Sequence, residues 1–255
     1  MNSLLRRSRL PNNPSTILTP SRQMGTGSRN ARGHGWLQKY RTNRGGRHLQ
    51  GRYHYRDVDE LAELNDKVFA MNHDSNSSDN STASNEVFLD LAIGSDTTQL
   101  HRIVIELAST VLPKTTSNFR LLCQDQSYTS SRVYKIEKTV GLCMGDIVYN
   151  NGTSGKCHPS MASPQTPYSF ADEGYYLSHV KAGMVSMLSP GVHSNDSRFV
   201  ITTGDAPQLD GRYVAFGRVK EECLDVVTGL VGGVFTKRGR PTVDITVVGS
   251  GIVGS

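Results

Sequence analysis

Cysteine is scarce and spaced against chemistry. Cys123, Cys143, Cys157 and Cys223 are the four present, with no close pair of the kind that a zinc site or a dithiol motif requires. Free thiols in a reducing compartment are the expectation. His158, His179 and His193 are equally scattered and read as surface or loop histidines, so neither a metal nor a cofactor is expected. No run approaches the ~20 apolar residues needed to cross a bilayer, and no apolar segment near the N-terminus leads into a small-residue cleavage pattern. Secretion and membrane spanning are therefore not expected, and the sequons at Asn76, Asn80, Asn151 and Asn195 carry no weight.

The most telling absence is of acid. Residues 1–56 contain twelve Lys or Arg and no Asp or Glu, whereas the remainder holds 16 basic and 23 acidic residues. The net charge of +5 belongs to this arm. It is rich in Arg, Gly, Ser and Asn, and Pro11, Pro14 and Pro20 interrupt any helix, so an extended or disordered segment is expected. Trp36, Tyr40, Tyr53 and Tyr55 interleave with Arg32, Lys39, Arg41, Arg44, Arg47, Arg52 and Arg56. Cations beside stacking surfaces suit a polyanion: an acidic protein surface such as tubulin, an RNA or ribonucleoprotein, or anionic lipid. The expected location is the cytoplasm, at the cytoskeleton or a ciliary axoneme. The mitochondrial matrix is the alternative, because Arg- and Ser-rich acid-free N-termini also mark transit sequences.

Val58, Leu61, Leu64, Val68 and Met71 recur near helical spacing behind an acidic start, which predicts an amphipathic helix over 57–72. Residues 73–86 are too polar to fold and read as a flexible linker to a domain over 87–255. In that domain the pattern changes to short β-branched runs: 87–93 and 101–107 as a hairpin, then 132–136, 140–144, 184–187, 198–202, 213–218 and 243–248. Two segments are helical in pattern, 113–124 behind Pro113 and 221–230, the latter stopped by Gly232 and Gly233. The expected fold is all-β dominated, a closed eight-stranded antiparallel barrel with two capping helices.

Several motifs stand in a fixed order: the runs starting at Val87, Arg102 and Val111, the glycine turn from Asn151 to Lys156, then Phe170-Ala-Asp-Glu, Gly183-Met-Val-Ser-Met, Ser197-Arg-Phe-Val-Ile-Thr-Thr and the run from Leu209 to Val219. Together they resemble the cyclophilin family of peptidyl-prolyl isomerases over about 165 residues. The stretch between Lys156 and Phe170 is longer than the family's and holds Pro159, Pro164 and Pro167, as a surface loop would.

Rotation about an X-Pro bond meets a resonance barrier of about 18–20 kcal/mol and needs no covalent catalyst. The resemblance implies an arginine, a large apolar pocket and amide donors for this task. Carried across position by position, the match is poor. Lys135 stands at the arginine, a point donor without the planar fork. Val140, Gly141 and Val200 stand at a phenylalanine, a methionine and a second phenylalanine, and Gln208 at a tryptophan. Cys143 and Arg198 replace glutamines, Ser189 an asparagine and Tyr213 a histidine, while Leu209 is unchanged. The expected protein is a cyclophilin-fold scaffold with little isomerase activity, anchored by its arm and at most binding proline peptides weakly. A weak isomerase and an RNA-binding accessory protein are the alternatives.

Overall fold

The computed structural model describes residues 58–74 and 85–254. Every residue of the basic arm named above, and most of the linker, lies outside them.

Alternating buried positions build a hairpin of β1 (Glu86–Ile93) and β2 (Asp96–Leu107), with Val87, Leu89 and Leu91 turned inward and fully buried. The α-helices among the described residues are, in chain order, α1 (Val58–Asp74), α2 (Pro113–Gln124) and α3 (Leu224–Gly233). The remaining strands are β3 (Lys135–Glu137), β4 (Gly141–Met144), β5 (Met184–Met187), β6 (Phe199–Thr202), β7 (Ala215–Val219), β8 (Thr236–Lys237), β9 (Arg240–Pro241) and β10 (Ile245–Ile252).

Eight strands form one antiparallel sheet in the order β10-β1-β2-β7-β5-β6-β4-β3. The sheet curls until its ends meet, and the backbone just before β3 makes the join. Ser130 N–H donates to Val247 O, Val247 N–H to Ser131 O and Val133 N–H to Ile245 O, at 2.7, 2.8 and 2.9 Å. The expected eight-stranded antiparallel barrel is present as an open but strongly curled sheet, its edge strands β10 and β3 not paired as strands and its two sides linked by this short bridge around Arg132 and Thr246.

Helix α2 supplies Phe119, Leu122 and Cys123 to the core, where Phe119 meets Tyr128, Phe199 and Phe216 at ring separations of 5.3, 5.0 and 5.0 Å. Its first N–H groups are satisfied from afar: Lys114 and Thr115 donate to the Glu173 carboxylate at 2.9 and 2.8 Å. Helix α3 begins after a 3-10 turn at Glu221–Cys223 and runs through Gly232 and Gly233 instead of stopping before them. Leu230 and Val231 are buried there, and packing outweighs the cost of glycine. Strands β8 and β9, each two residues long, form an additional small hairpin that the sequence pattern did not announce.

Helix α1 lies against the barrel. Leu61 packs on Val180, and Phe69, 0 % exposed, packs with Ala108, Leu177, Met184 and Ala215. Asn65 exchanges two hydrogen bonds with the Ser178 backbone, at 2.8 and 3.1 Å. Asn72 Nδ2 donates to Leu107 O at 2.8 Å, and its Oδ1 accepts from the Thr110 hydroxyl at 2.8 Å. Arg218 stacks over the Phe69 ring and pairs with both Glu106 and Asp66.

Candidate functional site

Sheet register gathers the expected site. Lys135 on β3 is opposite Cys143 on β4, and Cys143 is opposite Val200 on β6. The side chains of such a row share one face. The 3-10 turn Pro207–Leu209 brings Leu209 onto it, so that Cys143, Val200, Ala206 and Leu209 form a small apolar cluster with Tyr134, Val140, Leu188 and Tyr213 at its margin. Gln208 faces outward on the same turn, and Ser189 is half-buried just beyond β5.

The polar groups are committed to partners within the chain. Lys135 Nζ lies 2.7 Å from Glu137 Oε2, with both side chains about half exposed, and this bond holds the lysine pKa above its ordinary value. Arg198 is more firmly held. Its Nη2 and Nε donate to Asp196 at 2.7 and 3.1 Å and its Nη1 to Gly152 O at 2.7 Å. Burial opposes the guanidinium charge, the Asp196 bonds outweigh it, and the net effect is a raised pKa. Burial pushes the Cys143 thiol up to about 12, so it is a neutral apolar group at pH 7.

Backbone shape fixes two further features. Gly141 has φ +147°, and a Cβ there would overlap the Ile201 carbonyl oxygen and press within 2.9 Å of Thr202 Cα. A side chain is excluded by the approach of β6, so no residue at 141 can build the missing pocket wall. Gly152, at φ +87°, lies under the Tyr134 ring, where a Cβ would come within 2.5 Å. The loop around it is organised by buried Asp146, whose carboxylate accepts from the N–H groups of Val148, Tyr149, Asn151, Gly152 and Ser154 at 2.8–3.2 Å. Burial raises the Asp146 pKa, and the backbone donors more than reverse this, leaving it below its ordinary value.

Asp196 and Glu137 were not singled out from the sequence, although each stands two residues from its partner, Glu137 on β3, where i and i+2 share a face, and Asp196 just ahead of β6. Of the histidines, His179 is not at the surface as expected. It is 0 % exposed, because its backbone N–H and Nδ1 both engage buried Asp210, at 2.8 and 2.7 Å. His158 bridges Asp125 and Ser160, and His193 faces Asp172. Among the described residues no His, Cys, Asp and Glu cluster could hold a metal. The longer segment after Lys156 is a structured surface loop, containing a 3-10 turn at Pro159–Met161 and tied across its base by Cys157 N–H on Tyr168 O at 2.8 Å.

A curled eight-stranded antiparallel sheet with α2 against its core, and with a small apolar cluster on β4 and β6, is the architecture expected of a cyclophilin-like barrel. The family model described as "Cyclophilin type peptidyl-prolyl cis-trans isomerase/CLD" matches residues 89–252. A relative from Bos taurus, "Probable inactive peptidyl-prolyl cis-trans isomerase-like 6", is 36% identical over 180 residues, 67% of this chain and 55% of the relative. Another from Arabidopsis thaliana, "Peptidyl-prolyl cis-trans isomerase CYP21-1", is 35% identical over 179 residues, 66% of this chain and 75% of the relative. The chain belongs to the cyclophilin family. It spans little more than half the length of the bovine relative.

Proposed function

We propose that this chain is a cyclophilin-fold interaction protein with negligible isomerase activity, anchored by its basic arm to an acidic assembly, a microtubule or axonemal filament in preference to a ribonucleoprotein. The observation that carries the loss of activity is the commitment of the cationic groups. Lys135, at the family arginine, is bonded to Glu137, and Arg198 has its fork closed on Asp196 and Gly152. Neither the Lys135 ammonium nor the Arg198 guanidinium is free to hold a twisted peptide carbonyl, and Gly141 leaves the proline ring ungripped. Each lost transition-state contact worth about 1.4 kcal/mol costs about tenfold in rate. The name of the bovine relative is consistent with this.

The arm supports the anchoring half. Twelve cations and no acid over 56 residues release counterions along an extended anionic track, and the interleaved aromatics add contact area. Among the described residues no base-reading element accompanies them, which favours an acidic filament over RNA. The surviving apolar floor of Cys143, Val200, Ala206 and Leu209 favours a second, weaker reading, residual affinity for proline-containing peptides.

The tests are separate. A protease-coupled assay on an X-Pro peptide should show turnover near background for the full chain and for Lys135→Arg, whereas turnover typical of the family would overturn the first half. Removal of residues 1–56 should abolish salt-sensitive co-sedimentation with microtubules. Unchanged binding, or none by the intact chain, would overturn the second.

A further inference from the structure

Away from the isomerase-type site, a groove of about 610 Å³ lies between α3, the β1–β2 turn and the root of the β8–β9 hairpin. Ile93, Val226, Leu230, Val234, Phe235 and Val243 make its walls mostly apolar. Phe235 is 84 % exposed and Val243 43 % exposed, although both border a cavity of the size that holds a bulky side chain. Gly229 and Gly233 line the α3 side, where an added Cβ would meet nothing within 4 Å, so the groove is open to an incoming group.

The presentation of Phe235 is fixed. Its carbonyl accepts from both the backbone N–H and the hydroxyl of Thr242, each at 2.9 Å. The hairpin beyond it is fastened to the barrel by Ile136 N–H on Gly239 O at 2.7 Å. On that hairpin Lys237, Arg238 and Arg240 are exposed, and none is ion-paired among the described residues. At the other end, Asp225 in the first turn of α3 contributes the opposite charge. The groove is thus apolar along its length and polarised from end to end.

We propose that this groove docks a segment of a partner protein that carries a bulky apolar anchor with acidic residues on one side of it. The anchor fills the space beside Phe235, and the acidic residues meet Lys237, Arg238 and Arg240. Asp225 repels acid at the α3 end and so sets the direction of the segment. The chain's own first 56 residues contain no acid and are repelled by the hairpin. A nucleic acid satisfies the cations but offers no apolar anchor for the groove.

The experiment uses the full chain and two fluorescein-labelled peptides in an anisotropy titration. One has a central Leu-Phe pair followed by a run of glutamates; the other has Ser-Ser in place of Leu-Phe and the same charge. The basic arm attracts both equally, so the ratio of their affinities reports the groove. The anchored peptide is expected to bind about tenfold more tightly. Phe235→Ser should bring the ratio near one, and Lys237→Glu with Arg238→Glu should weaken the anchored peptide more than the control. These side chains are exposed, so the melting temperature should be unchanged. A ratio near one in the unaltered chain, or one that survives Phe235→Ser, would overturn the proposal. So would self-association abolished by Phe235→Ser, which would assign the groove to a second copy.

Discussion

Restoring the family methionine at position 141 separates an eroded pocket from a rebuilt backbone. The overlap begins at Cβ, against the Ile201 carbonyl and Thr202 Cα, so Gly141→Ala and Gly141→Met should be about equally harmful. Forcing an L-residue into φ +147° costs roughly 1–3 kcal/mol. Moving β4 away from β6 would also weaken the ladder that pairs Gly141 with Thr202, at about 1 kcal/mol per backbone hydrogen bond. A loss of about 4 kcal/mol corresponds to a fall in melting temperature of about 8–16 °C for a domain of this size. Thermal denaturation followed by circular dichroism measures it, with the X-Pro assay alongside. If Gly141→Met melts with the unaltered protein and gains turnover while Gly141→Ala is neutral, the methionine has merely refilled an open pocket, and the argument from β6 is wrong.

Phe69→Ala should cost about 3–5 kcal/mol of α1 docking and raise hydrogen exchange over 58–74 while β4 to β6 keep their protection; equal loss of protection in all of them would show that α1 is not separable. Asp146→Asn should lower stability at pH 7 by roughly 1–3 kcal/mol, since an amide replaces a carboxylate that accepts five backbone N–H groups. Because the Asp146 pKa is depressed on folding, its stabilisation is present above the unfolded value of about 3.9 and is lost as pH falls through the folded value. The gap between Asp146→Asn and the unaltered protein should therefore close in acid, and a gap that widens below pH 4 would refute the assignment. Cys143, its thiol held up to about 12, should resist iodoacetamide at pH 8 unless the domain unfolds; labelling as fast as a free thiol would contradict its burial.

The barrel was legible because its strands are short β-branched runs and its motifs keep their order, and most strand positions fell within two or three residues of the expectation. Helix α2 was legible to the residue through Pro113 and its apolar spacing. The pairing of α1 with the barrel was not, because Asn65 and Asn72 look like ordinary polar positions and reveal their role only when Ser178 and Leu107 arrive from far along the chain. The β8–β9 hairpin escaped because two-residue strands have no period to detect. At the site, the sequence named the replaced positions but not their consequences. Substitution of a methionine by Gly141 reads as a lost side chain, while the structure shows a backbone that admits none. Arg198 reads as a glutamine replaced, while the structure shows its guanidinium closed on Asp196.

Leu107 is gripped on both sides: its carbonyl accepts from Asn72, and its N–H donates to Asn85 O at 2.9 Å. Asn72 and Asn85, on either side of residues 75–84, are therefore fastened to the same residue, so the ends that this segment connects lie close together. The closure entropy of such a loop depends only weakly on its length, with a doubling adding about 0.6 kcal/mol. Insertions there should be nearly free, and a protease cut within it would leave α1 attached through Asn65, Phe69 and Asn72 as a bound peptide. Mechanically, a pull on the chain ahead of Val58 is delivered through the face of α1 to β2, to β5 and β7, and to the segment around Ser178.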